Sequence, residues 1–198
     1  NPARGLVLVV GDVDPERVVV RLADRLSRIE PAKVAPKGIQ TPTRTPRPRL
    51  VFIENDQAEQ ACIGLGLPAI PRHHPDYLPL KVANQVFGGS ASSRLFAELR
   101  DRKSLTYGAY SNLDCGLVGG DTTASLSCAP DKAGPALAGL LSELEAMGEG
   151  DLKTAEVDHA KRFLMGSFPQ RAAGLTGVAS LVTSSWLHGL EDDAWVSY

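Results

Sequence analysis

Two residues whose side chains could act on a polar substrate stand seven positions apart in the middle of the chain. Arg100 falls near the end of a predicted helix over 94–102, and Tyr107 falls at the start of a predicted strand. A guanidinium carries a permanent charge and a planar fork of donors, and a phenol donates a hydrogen bond at neutral pH. Arginine at a helix end and tyrosine at a strand start are also ordinary surface residues, so these two residues alone assign no function.

The histidines and acidic residues of the sequence form no recognisable metal-binding motif. The segment His188-Gly-Leu-Glu-Asp192 comes within one residue of a His-x-x-Glu-His zinc pair, but its last position is a carboxylate. Gly189 is predicted to end the helix there, and without a helix the two ligands would not share a face. The other histidines fall in a loop and on a helical surface (His73, His74 and His159). The sequence therefore predicts no metal site in this chain.

A glycine–serine turn precedes the helix that carries Arg100. Residues 87–94 read Phe-Gly-Gly-Ser-Ala-Ser-Ser-Arg. A helix N-terminus attracts anions, but the turn lacks the Lys-Ser/Thr ending of a phosphate loop and the G-x-G-x-x-G spacing of a dinucleotide site. We interpret it as a tight corner between two helices, with Gly88 and Gly89 as a left-handed cap of the first.

Composition places the chain among ordinary globular proteins and gives no argument for a charged partner. Of its 198 residues, 43% are hydrophobic and 22% are charged, and the net charge is −2. That charge offers no support for nucleic acid or an anionic membrane as a partner. The apolar run over residues 6–10 is far shorter than the roughly 20 residues that span a bilayer. The three cysteines are too few for a disulfide framework and are predicted to pack as small hydrophobic residues (Cys62, Cys115 and Cys128).

The order of predicted elements indicates an α+β fold. Residues 5–11 form an apolar run typical of a strand, and Asp14-Pro15 begins a helix that fades near Ile29. Further strands are predicted at 50–53, 61–65, 106–115 and 119–128, and further helices at 75–88, 94–102, 131–148, 151–166 and 174–188. Strands in adjacent pairs, with helices between and after them, favour a mostly antiparallel sheet with helices packed on one face.

The block that carries Arg100 and Tyr107 resembles a known family. Residues 82–107 read Val-Ala-Asn-Gln-Val-Phe-Gly-Gly-Ser-Ala-Ser-Ser-Arg-Leu-Phe-Ala-Glu-Leu-Arg-Asp-Arg-Lys-Ser-Leu-Thr-Tyr. They closely resemble the second, non-metal domain of the pitrilysin–insulinase peptidases, the inverzincins, which include mitochondrial processing peptidase. Residues 6–16 resemble the strand and helix that close that family's first domain, and residues 149–161 resemble the helix start after its second sheet. The resemblance covers nearly the whole chain in the family's order.

The resemblance implies a division of the chain. Residues 1–30 are expected to be the strand–helix end of a preceding domain, and residues 31–49, rich in proline and basic residues, an extended linker. Residues 50–198 are expected to form the C-terminal non-zinc peptidase domain, of the metallopeptidase LuxS/MPP-like fold, truncated before its last strand. We expect residues 5–11 to fill the vacant sheet position, in this molecule or in a neighbouring one.

The resemblance also implies roles for the two residues. In that family, zinc and the general base come from the first domain, on a His-x-x-Glu-His helix that this chain lacks. The second domain sends an arginine and a tyrosine seven positions apart toward the metal, which match Arg100 and Tyr107. Tyr107 would then donate to the oxyanion, and Arg100 would clamp substrate carbonyls. The chain alone would bind no zinc and be inactive, and its partners would be a peptide substrate and a zinc-bearing sister domain or subunit.

Two alternative functions stay open from the sequence. Relatives in this family also serve as structural core proteins of respiratory complexes or as inactive partners, so the chain could belong to a non-catalytic subunit. It could also be a stand-alone peptide-binding module. The two matching residues favour a catalytic duty, with zinc in the complete enzyme. The substrate and its cleavage preference stay open, as does the compartment, between bacterial periplasm and cytoplasm.

Overall fold

The computed structural model describes residues 5–29 and 48–191. The described residues fall into two compact units, one containing residues 48–166 and the other containing residues 5–29 and 167–191. Most of the predicted linker over 31–49 lies outside the described residues, so that assignment stays a prediction.

Helices and strands follow each other in the predicted order over most of the described chain. The unit of residues 48–166 contains a three-stranded antiparallel sheet in the order β1-β3-β2, with helices between the strands and after them. The elements are α1 (Pro15–Leu26), β1 (Ala61–Ala69), α2 (Tyr77–Phe87), a π-helix (Phe96–Arg102), β2 (Thr106–Cys115), β3 (Gly120–Cys128), a 3₁₀ helix (Pro130–Lys132), α3 (Ala133–Gly148), α4 (Thr154–Ala172) and α5 (Gly174–His188).

The core lies between one face of the sheet and the helices, which confirms the predicted α+β class. Ala124 and Leu126 of β3 alternate with exposed residues and form the buried face of the central strand. Leu95 and Leu99 of the helix that carries Arg100 are fully buried in the same cluster, as is Leu140 of α3. Each buried leucine contributes about 1.5–3 kcal/mol relative to an exposed one, so this cluster fixes where the helix lies on the sheet.

The glycine turn after α2 is required for close packing rather than for a left-handed conformation. Gly88 has φ −152°, so the predicted left-handed cap is wrong. A side chain at this position would overlap the backbone nitrogen of Ser111 in β2, whose N–H donates to the Gly88 carbonyl oxygen at 2.8 Å. Glycine allows the end of α2 to approach the sheet closely enough for that hydrogen bond.

Two predicted strands are absent from the described sheet. Residues 5–11 form no strand, although the apolar run predicted one, and Val7 is 52% exposed. Residues 50–53 are also unpaired, and Phe52 is 86% exposed. An apolar run forms a strand only where a neighbouring strand accepts its backbone hydrogen bonds, and the described sheet contains only β1, β2 and β3. Residues 5–11 belong to the other unit, so the expectation that they fill a sheet position, in this molecule or in a neighbouring one, stays a prediction.

One ion pair ties the start of α4 to the helix that carries Arg100. Arg94, whose side chain is 10% exposed, donates through Nε and Nη2 to the two carboxylate oxygens of Glu156 at 3.0 and 2.7 Å. Its Nη2 also donates to the carbonyl oxygen of Asp151, and the backbone N–H of Lys153 donates to Glu156 at 3.1 Å. The hydrogen bond from Arg94 holds the pKa of the Glu156 carboxyl below its usual range, against the opposing effect of burial.

The Glu156→Gln substitution should lower the free energy of unfolding at pH 7 by about 1–3 kcal/mol, because it removes a charged acceptor from a largely buried arginine. The lowered pKa means that the stabilisation by ionised Glu156 is complete above the ordinary carboxyl pKa and is lost as the pH falls through the lowered value. The difference between wild type and variant should therefore shrink in acid. Urea unfolding at pH 7 and pH 3 measures it, and equal stabilities at pH 7 would contradict the role of the pair. The control is Glu145→Gln, at an exposed position of α3.

Candidate functional site

The structure brings Arg100 and Tyr107 side by side. The guanidinium carbon of Arg100 lies 5.0 Å from the centroid of the Tyr107 ring and 4.6 Å from the centroid of the Phe96 ring. A guanidinium within about 6 Å of an aromatic ring is attracted by its negative face. Two rings thus orient the guanidinium next to the phenol.

The helix that carries Arg100 is wound as a π-helix, in which backbone hydrogen bonds join residues five apart instead of four. The backbone N–H of Lys103 donates to the Glu98 carbonyl oxygen, five residues earlier, at 3.1 Å. The Glu98 carboxylate also accepts from Arg102 at 2.7 Å and from Lys103 at 2.9 Å. Glu98 therefore engages the two basic residues that follow Arg100.

Among the described residues, Arg100 has no carboxylate partner, unlike the other two arginines of its helix. Arg94 is paired with Glu156 and Arg102 with Glu98, whereas no carboxylate in residues 5–29 or 48–191 forms an ion pair with Arg100. Stacking on aromatic faces leaves the edge of a guanidinium, where its N–H donors lie, open to another acceptor. The donor fork of Arg100 is thus available to a ligand.

A left-handed residue turns the chain from the π-helix back to the sheet. Ser104 has φ 50°, and its N–H donates to the Arg100 carbonyl oxygen at 3.0 Å. The N–H of Leu105 donates to the carbonyl oxygen of Leu99 at 2.8 Å. A residue in the left-handed conformation commonly ends a helix in this way, and it is usually glycine or asparagine. The turn leads directly into β2, with Tyr107 as the second residue of that strand.

A β-bulge in β2 coincides with Tyr107. Thr106 is opposite Cys128 and Ala109 is opposite Leu126, so three steps along β2 face two steps along β3. Bulges bend a strand and re-aim its side chains. Tyr107 is 88% exposed, and its hydroxyl has no hydrogen-bond partner in the described part of the chain. The bulge thus leaves the phenol O–H free to donate to a ligand.

The exposed tyrosine borders an open groove on the solvent face of the sheet. The groove has a volume of about 890 Å³ and is lined by residues of all three strands. Small side chains form part of its floor, and Lys132 lies on its border. Its aromatic and small lining residues include Tyr107, Tyr110, Cys62, Gly64, Ser125 and Ser127. The volume falls in the range of natural ligand sites, about 300–1,000 Å³.

Sequence reasoning missed the aromatic neighbours of the pair. Phe96 is buried, yet its ring contacts Arg100 and lies 5.6 Å from the ring of Tyr110. Gly108 carried a signal that was available in the sequence, because an isolated glycine in a strand is typical of a bulge. A side chain at position 108 would come within 2.8 Å of the Tyr110 ring.

The cysteines divide by strand face. Cys115 and Cys128 are buried, as predicted, and burial raises the pKa of both thiols. Cys62 is exposed and lines the groove, so the prediction that it packs inside is wrong. Alternation along β1 explains the difference, because it turns Cys62 to the solvent face between Ala61 and Ile63.

Two of the described histidines make hydrogen bonds within the protein. His74 Nδ1 accepts from the Asp76 N–H at 3.1 Å, and His159 Nε2 lies 2.9 Å from the Ser92 hydroxyl oxygen. Among the described residues, no group of three or more His, Cys, Asp or Glu side chains could hold a metal ion. No helix in that part of the chain is long and apolar enough to cross a membrane.

The fold and the site define an α+β domain with an exposed tyrosine at a sheet groove and a half-buried arginine stacked on its ring. The sequence profile of the Peptidase M16 inactive domain matches residues 1–164. An uncharacterized zinc protease of Mycobacterium tuberculosis is 31% identical over 170 residues, which cover 84% of this chain and 38% of that protein. The chain belongs to the Peptidase M16 inactive domain family, which confirms the resemblance found in the sequence. It spans well under half the length of such relatives.

Solved structures share the fold. A protease from Helicobacter pylori matches 91% of this chain with a TM-score of 0.81 and 21% identity, over 44% of its own chain. A chain of complex III2 from Candida albicans, solved with Inz-5 bound, matches 68% of this chain with a TM-score of 0.59 and 17% identity, over 34% of its own chain. At these identities the likeness shows the fold and no more.

Thiol labelling should separate the three cysteines. One thiol per chain, that of Cys62, should react rapidly with 5,5′-dithiobis(2-nitrobenzoate) at pH 8, because the other two are buried and have raised thiol pKa values. In Cys62→Ser the fast phase should vanish, and urea should restore the two slow thiols. A fast phase that survives in Cys62→Ser would contradict the assignment of strand faces.

Proposed function

We propose that this chain is the substrate-engaging half of a two-part zinc peptidase, in which Tyr107 and Arg100 act on a bound peptide. One observation supports this most directly. Within the described residues, the guanidinium of Arg100 has no carboxylate partner and the hydroxyl of Tyr107 has no hydrogen-bond partner, yet the two side chains are stacked together and Tyr107 lines the groove. Such preorganised, unpaired donors are suited to a ligand rather than to stability.

Tyr107 suits the stabilisation of an oxyanion. When a nucleophile adds to a peptide carbonyl, negative charge develops on the carbonyl oxygen, and a fixed O–H donor stabilises that charge. The bulge holds the phenol outward, so the hydroxyl needs no rearrangement to donate. We assign Tyr107 the role of oxyanion donor.

Arg100 suits the positioning of substrate. Its fork can donate to one or two backbone carbonyl oxygens of an extended peptide, and the contacts with Phe96 and Tyr107 limit its rotation. A permanently charged donor at this place serves the bound substrate and the transition state alike. We assign Arg100 the role of substrate clamp.

The other half must supply what this chain lacks. Zinc, named in the relatives' descriptions, would activate the attacking water in the complete enzyme. The described residues of this chain offer no ligand set for it. A zinc-bearing domain or subunit is therefore the proposed partner, and the chain alone should be inactive.

A second candidate is a non-catalytic subunit of the same family. The fold shared with a chain of complex III2 supports it, since domains of this type occur in assemblies as well as in proteases. A stand-alone peptide-binding module is the third candidate. Peptide binding by the isolated chain, without a partner, would favour the third candidate over the first two. Loss of activity on substitution of Tyr107 would favour the first.

The Tyr107→Phe substitution should lower kcat of a complete enzyme, in which this chain is joined to or paired with a zinc-bearing half, by about 10²–10³-fold, as for loss of one oxyanion donor. Peptide hydrolysis measures it, with Tyr77→Phe as the matched control. Tyr77 lies at the start of α2 and does not line the groove. A fall in kcat of less than about twofold in Tyr107→Phe would exclude the role, given the size expected for such a donor.

The Arg100→Ala substitution should mainly raise KM, because it removes contacts made equally with bound substrate and transition state. We expect about a tenfold rise, equivalent to one hydrogen bond to a charged donor. Steady-state kinetics on the same complete enzyme measure it. The control is Arg162→Ala, at an exposed position of α4 outside the groove. An unchanged KM for Arg100→Ala would count against the clamp.

A further inference from the structure

One lysine bonds the turn between Arg100 and Tyr107 from outside that segment. Lys132 is the last residue of the 3₁₀ helix that follows β3, and its ammonium donates to the carbonyl oxygen of Ser104 at 2.8 Å. The bond joins positions 28 residues apart. It connects the 3₁₀ helix after β3 to the left-handed turn at Ser104.

Ser104 needs such support. It is the one non-glycine residue with positive φ in the described part of the chain, at 50°. A non-glycine residue in this region costs about 1–3 kcal/mol and persists only where the surroundings hold it there. Three hydrogen bonds hold the turn, through the N–H of Ser104, the N–H of Leu105 and the carbonyl oxygen that Lys132 contacts. Two of the three lie within the π-helix terminus, and only the third is made by a side chain.

We infer that Lys132 is a positioning residue for Tyr107. The inference rests on the proposed function, because it concerns the same site. The peptide unit held by Lys132 lies three residues before Tyr107, and the chain between them has few free dihedral angles. Thr106, in that interval, donates through its hydroxyl to the Ser127 carbonyl oxygen at 2.6 Å. A shift of the Ser104 peptide would therefore pass into the bulge and move the phenol.

A different role for Lys132 makes different predictions. Lys132 also lines the groove, so its ammonium could bind a substrate carbonyl or carboxylate directly. If Lys132 binds the substrate directly, its loss should weaken ground-state binding and raise KM. If it positions the oxyanion donor, its loss should weaken transition-state stabilisation and lower kcat. Glycine at position 104 separates the two roles further, because it adopts positive φ without strain and so reduces the need for the lysine.

The test is the Lys132→Met variant of the complete enzyme, alone and combined with Ser104→Gly. Lys132→Met should lower kcat about tenfold or more, since displacement of a catalytic group by about 1 Å can cost 10²-fold, with KM within about twofold of wild type. Lys132→Met/Ser104→Gly should regain most of the lost kcat. Lys161→Met, at an exposed position of α4 outside the groove, is the control. A raised KM with unchanged kcat, or no recovery in the double variant, would overturn the inference.

A measurement on the isolated chain keeps this inference separate from the proposed function. Backbone NMR shifts of residues 106 and 107 should change in Lys132→Met, should change less when the same substitution is made in a Ser104→Gly background, and should not change in Lys161→Met. Unchanged shifts in Lys132→Met would overturn the positioning role whatever the activity. If the shifts change as expected but Tyr107→Phe leaves kcat intact, the proposed function fails, while the effect of Lys132 on the position of residue 107 is still supported.

A double-variant experiment tests whether Lys132 acts through Tyr107. In a Tyr107→Phe background, Lys132→Met should lower kcat no further.

Discussion

The closure of the short segment between Leu99 and Tyr107 is the constraint on which the candidate site depends. The segment must leave a helix, reverse direction and enter a strand, and it does so through a left-handed serine and a bulge. Leu99 anchors its start in the core with no exposed surface, and the carbonyl oxygen of the same residue accepts the hydrogen bond that ends the turn. Arg100 directly follows this anchor, so its position is determined by the core.

The rest of the domain keeps the two ends of that segment in place. On the helix side, Arg94 and Glu156 form a part-buried ion pair that attaches α4 to the start of the helix. On the sheet side, Gly88 lets α2 approach β2 closely enough for a backbone hydrogen bond to Ser111. Neither contact lies at the groove. Both restrict where the helix and strand can lie, and so how Arg100 and Tyr107 meet.

The sequence was sufficient for the class of fold, and it failed where the outcome depends on tertiary partners. Alternation in β3 and helical spacing in α2 and α3 are local properties, and they predicted these elements correctly. The runs over 5–11 and 50–53 have the same apolar character but lack a neighbouring strand, which no local pattern reports. Cys62 was assigned to the interior because residue type was considered before strand face.

The fine geometry of the site was beyond sequence reasoning for a related reason. The spacing of Phe96 and Arg100, four residues apart on one helix, is visible in the sequence, but the left-handed turn at Ser104 and the one-residue register shift that directs Tyr107 outward are not. Both features arise from packing between elements. Gly108 hinted at the bulge, whereas nothing in the residues around Ser104 indicated that Lys132 would bond to its carbonyl oxygen.

The central claim is that Tyr107 donates to the oxygen that becomes negatively charged during peptide cleavage. A crystal structure of the complete enzyme with a phosphinic peptide bound, as a mimic of the tetrahedral transition state, tests it most directly. We expect the Tyr107 hydroxyl to lie about 2.6–3.0 Å from a phosphinate oxygen, and the Arg100 guanidinium to donate a hydrogen bond to a neighbouring peptide carbonyl oxygen. A phosphinic peptide bound for cleavage with the Tyr107 hydroxyl beyond about 5 Å of any phosphinate oxygen, out of hydrogen-bond range, would contradict it.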